Sequence, residues 1–417
     1  MRSTEVTQSS PIVIVGGGPV GMTAATALSG AGLPVVLVEA TPTVQTDWRA
    51  STFHPPTLEL LAELGVADEM RAEGLAVPRY QFRDRTDGLV AEFDYGLLAG
   101  ETPFPYRLQL NQQRLVRMLA DRLAARPGVT VRFGARAVAL RQDRAGVTVR
   151  IESDQGPEEL HGSFVIGADG ARSTVRGLLG VPFEGFTYEQ RFVIASTSAE
   201  LSELLPGIAD VNYVADPEEW IFLLRTPESW RAVYPVPAQQ SVEEATDPVS
   251  IQAHLQGIAA NPAGYPIDDF QIYNVHQRVA TTFRTGRVVL VGDAAHVNSP
   301  LGGVGLNSGI HDAVDVARRI ARLQADPDPA ADRLDAELDE FDRVRRQVAV
   351  EYVQADTKRN TERLMERDPA RRAANYAELR ATAADPELAR AWCRRASLLE
   401  SVNRFGIGRP PTPVPAL

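Results

Sequence analysis

Residues 11–39 read PIVIVGGGPVGMTAATALSGAGLPVVLVE, and no other stretch limits the fold as tightly. Pro11–Gly16 is a short apolar run of the kind that forms a strand buried on both faces. A Gly16-x-Gly18-x-x-Gly21 turn follows, then a helical stretch to Gly32 and a second buried run, Val35–Glu39. The order is one βαβ unit with a short crossover helix. Gly16 permits the tight turn, Gly18 lets a diphosphate approach the backbone, and Gly21 allows close packing of helix on strand. The helix N-terminus, with Pro19 and Val20 in its first turn, carries about half a positive charge and free N–H groups, which suits that diphosphate. Glu39, with Ala40 beside it, ends the second strand where a carboxylate accepts hydrogen bonds from an adenosine ribose. A glycine turn kept only for packing explains neither the spacing nor Glu39. The element implies a dinucleotide site and leaves FAD and NAD both open.

With 417 residues the chain has room for two or three lobes with buried cores. Its formal charge of −11 argues against nucleic acid or an anionic membrane as a partner, and an anionic substrate would need a local basic pocket working against that field. Cys393 is the single cysteine, which excludes an internal disulfide or a Cys-x-x-Cys pair and fits a reducing cytoplasm. The polar start MRSTEVTQSS is unlike a signal peptide, and no apolar run reaches the roughly 18 residues of a membrane span. A soluble monomer or homodimer without a metal site is expected.

Pattern along the chain predicts helices at about 56–64, 112–126 and 309–323, and more helix beyond 330. Strands are expected at 130–133, 146–152, 163–166 and 287–291. Residues 79–106 and 183–280 are aromatic and strand-like, with a short helix near 249–259, and PPTPVPAL ends the chain as an extended tail.

A second motif, VVLVGDAAHVNSPLGGVGLNSGIHD at 288–312, selects the flavin. Asp293 follows a buried strand, where a carboxylate can bond ribityl hydroxyls. Gly302, Gly303 and Gly305 leave bare backbone ahead of a helix beginning near Leu306 and Asn307, whose N–H donors suit the pyrimidine edge of a flavin. An NAD enzyme has no use for this element. FAD held non-covalently is therefore expected.

The two motifs, with FVIGADGARSTVR at 164–176 between them, give a sequence that resembles the flavoprotein monooxygenases of the aromatic-hydroxylase class, the fold of 4-hydroxybenzoate hydroxylase. The resemblance spans about residues 11–350. It implies an α/β fold: a Rossmann-type FAD-binding domain (1–78, 107–179 and 281–330), an inserted β-sheet substrate domain (79–106 and 180–280) and a helical C-terminal segment (331–417). It carries Asp169 and Arg172 over as structural and cofactor-facing residues, Arg49 of Arg49-Ala50 to the diphosphate, and Gln112 to the flavin. Val138 completes the expected cofactor contacts. Val116 stands where relatives commonly have glutamate, and Pro56 where a basic residue is frequent.

The activity implied is hydroxylation of an aromatic or heteroaromatic ring with NADH or NADPH and O₂, through a C4a-hydroperoxyflavin. Epoxidation or Baeyer–Villiger oxidation is the alternative on the same scaffold. A halogenase is disfavoured, because no Trp-x-Trp-x-Ile-Pro segment is present and the one lysine is Lys358. A disulfide reductase lacks its cysteines, and a non-catalytic flavoprotein ranks last. Candidate catalytic positions are His54, five residues past Arg49, and Pro300, whose loop lies beside the flavin in relatives; His296 is expected to be structural. Asn212, Tyr213, Trp220, Phe222 and Tyr234 are candidates for the substrate pocket, although strand alternation turns about half of such residues away.

Overall fold

The computed structural model describes residues 10–46, 48–326 and 331–408. The polar start and the proline-rich tail fall outside those limits. The fold is α/β. Ile12–Val15 and Val35–Val38 are apolar throughout and lie at the centre of a six-stranded sheet, where both faces are covered. From edge to edge that sheet runs Arg284–Thr285, Val288–Leu290, Phe164–Gly167, Ile12–Val15, Val35–Val38 and Val129–Arg132. All neighbours are parallel except the first pair. The strands at 164–167 and 288–290, each ending just before a motif carboxylate region, thus join the strand that leads into the glycine turn.

Residues 79–94, 183–280 and 296–297 build a separate eight-stranded sheet. Its order is His296–Val297, Asp269–Ala280, Phe183–Thr197, Trp230–Val236, Ile221–Arg225, Val211–Ala215, Arg79–Asp84 and Gly88–Asp94. It is antiparallel except where Val211–Ala215 meets Arg79–Asp84. Alternation gives it two buried faces: Phe192, Tyr213, Phe222, Leu224 and Val233 on one, and Val193, Ile221, Leu223, Ala232 and Tyr234 on the other, with the helix Pro248–Ile258.

Several short strands go beyond the sequence pattern, two of them in one small sheet. Arg136–Gln142 and Gly156–Gly162 flank Val147–Ser153 in a small antiparallel sheet. Their polar sequences hide the strand signal because one face is open to solvent. The helix patterned over 309–323 extends back to Gly305, one residue before the start near Leu306 that the second motif implies. Gly309 reads as a helix weakener, yet it is needed for a close crossing: a Cβ there would lie 2.7 Å from Val20 Cγ2 and 3.0 Å from Gly292 Cα. The helix Gln112–Ala124 buries Leu115, Val116, Met118, Leu119 and Leu123, so the unusual Val116 serves the core. C-terminal helices, from Ala331–Val348 to Leu399–Phe405, pack across both sheets. No helix among the described residues is long and apolar enough to cross a membrane.

Candidate cofactor cleft and adjoining cavity

A cleft of about 1020 Å³ opens at the carboxyl ends of the parallel strands, where Val15, Val38 and Val291 reach its wall. Gly16, Gly18, Pro19, Val20, Glu39, Ala40, Arg49, Gln112, Asp169, Asp293, Pro300, Gly303, Gly305 and Leu306 all line it. Three segments distant in sequence therefore meet around one space. Gly16 has φ +111°, and a Cβ on it would stand 2.3 Å from the Ala168 carbonyl oxygen. Gly21 lies behind the wall, where its missing Cβ lets the helix touch the Gly16 carbonyl. Gly18 has open space on its side-chain side.

The geometry fits FAD. The helices Pro19–Gly30 and Gly305–Gln324 both start at the cleft, and neither has a side-chain cap. Their first-turn N–H groups are thus left to a ligand, and anionic groups are favoured there. Glu39 accepts from the Gly17 N–H at 2.6 Å and from the Thr41 N–H at 2.8 Å, which fixes the carboxylate at the rim. Asp169 accepts from the Ser173 hydroxyl at 2.5 Å and the Val175 N–H at 3.0 Å, so it also ties down the helix Thr174–Leu178. Arg172 lines the cleft from an exposed position, while Arg176 donates to the Ala294 carbonyl at 2.8 Å and joins the second and third motifs.

Asp293 lies deep in the cleft with its own surface open to the empty space. Desolvation by the surrounding protein raises its pKa, opposed by His296 and Arg49. Hydroxyl donors placed there would relieve that penalty. Asp293→Ala is expected to weaken FAD binding by about 10- to 150-fold, the value of a charge-assisted hydrogen bond of about 1.5–3 kcal/mol. His296→Ala should act on stability instead, since His296 is buried and its Nε2–H donates to Asp312 Oδ2 at 2.9 Å. Titrating FAD into the two apo-proteins checks this, and equal affinities would reduce Asp293 to a local backbone cap.

Other expected contacts lie elsewhere. Val138 does not line the cleft; Ala135, Arg136 and Ala137 do. The strand slips register there, with Ala139 opposite Arg150 and Ala137 opposite Ile151, which leaves Val138 unopposed in a bulge. Asn307 is buried behind the wall, accepting from the His54 N–H at 2.8 Å and donating to the Thr52 and Gly303 carbonyls. His54 is fully buried outside the cleft lining; its Nε2–H donates to the Gly302 carbonyl at 3.0 Å, so it braces the glycine loop from behind. Burial and the nearby Arg107 lower its pKa to about 3, which keeps it neutral.

Among the candidate pocket residues, Phe222 lines the cleft, together with Ile194, Leu224, Arg231 and Val233. Tyr234 points to the opposite face and stacks on His254 at 4.3 Å. Asn212 also faces away and donates to the Ala209 carbonyl, and Trp220 packs edge-on against Phe192. Tyr213 belongs to a second cavity of about 290 Å³, on the other side of the glycine loop. Gly302, Val304, Tyr80, Phe82, Arg107 and Trp392 also line it. Val304 lines both spaces, and Tyr213 stacks on Phe222 at 4.7 Å, so the cavities share a wall. Arg231 and Arg107 had not been singled out in the sequence: each sits in a strand beside apolar residues, where only the fold shows which way it points.

Comparison with known proteins agrees with this geometry. Residues 9–356 match the family model described as FAD binding domain. Para-nitrophenol 4-monooxygenase of Pseudomonas sp. (strain WBC-3) is 35% identical over 365 residues, 87% of this chain and 89% of that protein. The 6-hydroxy-3-succinoylpyridine 3-monooxygenase HspB of Pseudomonas putida (strain DSM 28022 / S16) is 32% identical over 359 residues, 86% and 90% of the two chains. The crystal structure of p-nitrophenol 4-monooxygenase PnpA from Pseudomonas putida DLL-E4 superposes with a TM-score of 0.88 at 31% identity, covering 96% of this chain and 99% of that one. With a cleft built from three flavin motifs and relatives matched over nearly their whole length, the chain belongs to the FAD-dependent aromatic hydroxylases, flavoprotein monooxygenases of the FAD-binding family.

Proposed function

We propose that this monooxygenase hydroxylates a single-ring phenol or hydroxypyridine held in the second cavity, with NADH as the reductant. One observation carries the choice of cavity: a space of about 290 Å³, walled by Tyr80, Phe82, Tyr213 and Trp392, backs onto the same glycine loop that the cofactor cleft uses. Its volume suits one substituted ring, and its aromatic end lies against Gly302 and Val304 of the glycine loop. The named substrates of the two Pseudomonas enzymes, a nitrophenol and a hydroxypyridine, are of this size.

Bound FAD would accept electrons from the nicotinamide and pass an oxygen atom from O₂ to the ring. The residues proposed to hold it are Gly16, Gly18 and Arg49 at the diphosphate, Glu39 at the adenosine ribose, Asp293 at the ribityl chain, and Gln112, Pro300, Gly303, Gly305 and Leu306 around the ring system. His54 is a positioning residue, since its one N–H is committed to Gly302. The segment ATPTVQTDW after Glu39 has no basic cluster for a 2′-phosphate, which favours NADH. The six-stranded sheet supports 1–78, 107–179 and 281–330 as a cofactor domain, and the eight-stranded sheet supports 79–106 and 180–280 as a substrate domain. A cytoplasmic monomer or homodimer fits the lone buried cysteine.

A matching phenol is expected to accelerate flavin reduction in single turnover, and product formed under ¹⁸O₂ should carry one labelled atom. Oxygen derived from water would overturn the monooxygenase reading, and halide in the product would replace it with a halogenase. Ring expansion with label incorporated would indicate Baeyer–Villiger chemistry.

A further inference from the structure

The second cavity holds a buried cation with no carboxylate beside it among the described residues. Arg107 is 2% exposed. Its Nε–H donates to the Tyr95 hydroxyl at 3.0 Å and an Nη1–H to the Tyr213 hydroxyl at 3.4 Å. The guanidinium carbon lies 4.0 Å from the centre of the Tyr80 ring and 5.2 Å from that of Tyr95. The acid–base groups facing it are Tyr80, Tyr95 and Tyr213, with the neutral His54 and the Cys393 thiol also nearby. Burial pushes the Tyr80 and Tyr95 phenols well above their ordinary range, so they offer dipoles and ring faces but no negative charge.

The cavity's own carboxylates are already engaged at its other end. Asp356 meets Arg395 at 2.9 Å and Arg359 at 3.4 Å, and Glu400 meets Arg395 at 3.7 Å. Three arginines and two carboxylates line the space, which leaves one positive charge uncompensated. An isolated buried charge is costly unless it is paired. The Arg107 side chain forms part of the cavity wall, where an occupant could pair with it. The chain as a whole is strongly acidic, so this local excess runs against the overall field.

We propose that Arg107 is the specificity-determining residue of the second cavity, and that the aromatic substrate binds there through an oxyanion, phenolate or carboxylate, paired with its guanidinium. The proposal rests on the reading that this cavity holds the substrate. Tyr213 connects the anion site to the cofactor side: its hydroxyl meets Arg107, while its ring stacks on Phe222 at the cleft wall. An anion anchored on Arg107 would therefore set the depth and orientation of the ring behind Val304.

The test titrates oxidised holoenzyme with two matched pairs and follows the flavin absorption spectrum. One pair is 4-nitrophenol, above its own ionisation, against nitrobenzene; the other is 4-hydroxybenzoate against 4-hydroxybenzamide. In at least one pair the anion is expected to bind about 10- to 150-fold more tightly than its neutral partner, the value of a charge-assisted contact. The first pair preferring its anion assigns a phenolate, the second a carboxylate. Arg107→Met should abolish the preference while leaving the neutral ligand's affinity unchanged, a split that general damage to the cavity would not give. Arg107→Lys should retain part of it, and decides the matter if the methionine variant fails to hold FAD. Equal binding within both pairs by wild-type enzyme, or an undiminished preference in Arg107→Met, overturns the proposal. The measurement needs no turnover: an enzyme that selects anions but transfers no oxygen keeps this site and loses the monooxygenase reading, and one that hydroxylates without anion selectivity does the reverse.

Discussion

Replacing Asp312 with alanine is expected to lower the free energy of unfolding by about 3–5 kcal/mol, the usual loss when one partner of a buried ion pair is removed. Asp312 and Arg345 are both essentially inaccessible to solvent, with Arg345 Nε donating to Asp312 Oδ1 at 2.6 Å. Oδ2 takes the His296 ring N–H and the Gly292 N–H at 3.0 Å. Burial alone would raise the Asp312 pKa, but Arg345 and His296 more than offset this and hold it below the ordinary value. Without the carboxylate, Arg345 keeps its hydrogen bonds to Ser308 and a weaker attraction to Asp315, and remains charged in the core. Denaturant unfolding of apo-protein measures the loss. A change below about 1 kcal/mol, the scale of an exposed pair, would contradict the assignment. FAD affinity should fall as well, because Asp312 fixes Gly292, the neighbour of Asp293.

Acidification from pH 7 to pH 5 is expected to remove about 4 kcal/mol of stability through two histidines, His54 and His311. Burial holds each near pKa 3, helped by the charge of Arg107 at His54 and of Arg345 at His311. In the unfolded chain both titrate near about 6.5. The native state therefore keeps them neutral while the unfolded state takes up protons below about 6.5, so stability is full above that pH and falls progressively toward pH 3. At pH 5 each contributes roughly 2 kcal/mol to the loss. Asp293, Asp315 and Asp356, whose pKa values burial raises, act in the opposite sense, because the native state protonates them before the unfolded chain does. Comparing unfolding between pH 7 and 5 in wild type and in the His54→Gln/His311→Gln double variant isolates the histidine part. An identical pH slope in the two would rule it out.

The parts of the site visible in the sequence are those that sit at strand ends and in the turns that follow them. Gly16, Gly18 and Asp293 stand at strand-to-helix turns, where local chemistry and spacing leave few conformations. Side chains on strands are different, because their direction depends on register, and a shift of one residue reverses it. Arg231 and Val233 reach the cleft whereas Tyr234 points into the core on the opposite face, and Tyr213 reaches the second cavity whereas Asn212 does not. The bulge at Val138 is a similar case: alternation on either side of it gives no warning of the slip. Arg107 was hidden for another reason. Its importance comes from Tyr80, Tyr95 and Tyr213 gathering around it, from three separate strands and turns.

The strand order also constrains how the molecule comes into being. Ile12–Val15, made first, pairs on one side with Val35–Val38 but on the other with Phe164–Gly167, which in turn pairs with Val288–Leu290. The first helix, Pro19–Gly30, then packs against Gly305–Gln324. A ribosome-bound chain thus carries an unpaired apolar strand edge until residue 167 has emerged, and an unfinished cofactor cradle until residue 324 has. Such long-range pairing slows folding and exposes sticky edges to aggregation. FAD can then act only late in biogenesis, as a clamp on an assembled cradle, so flavin supply should govern the yield of native protein more than the rate at which its first half collapses.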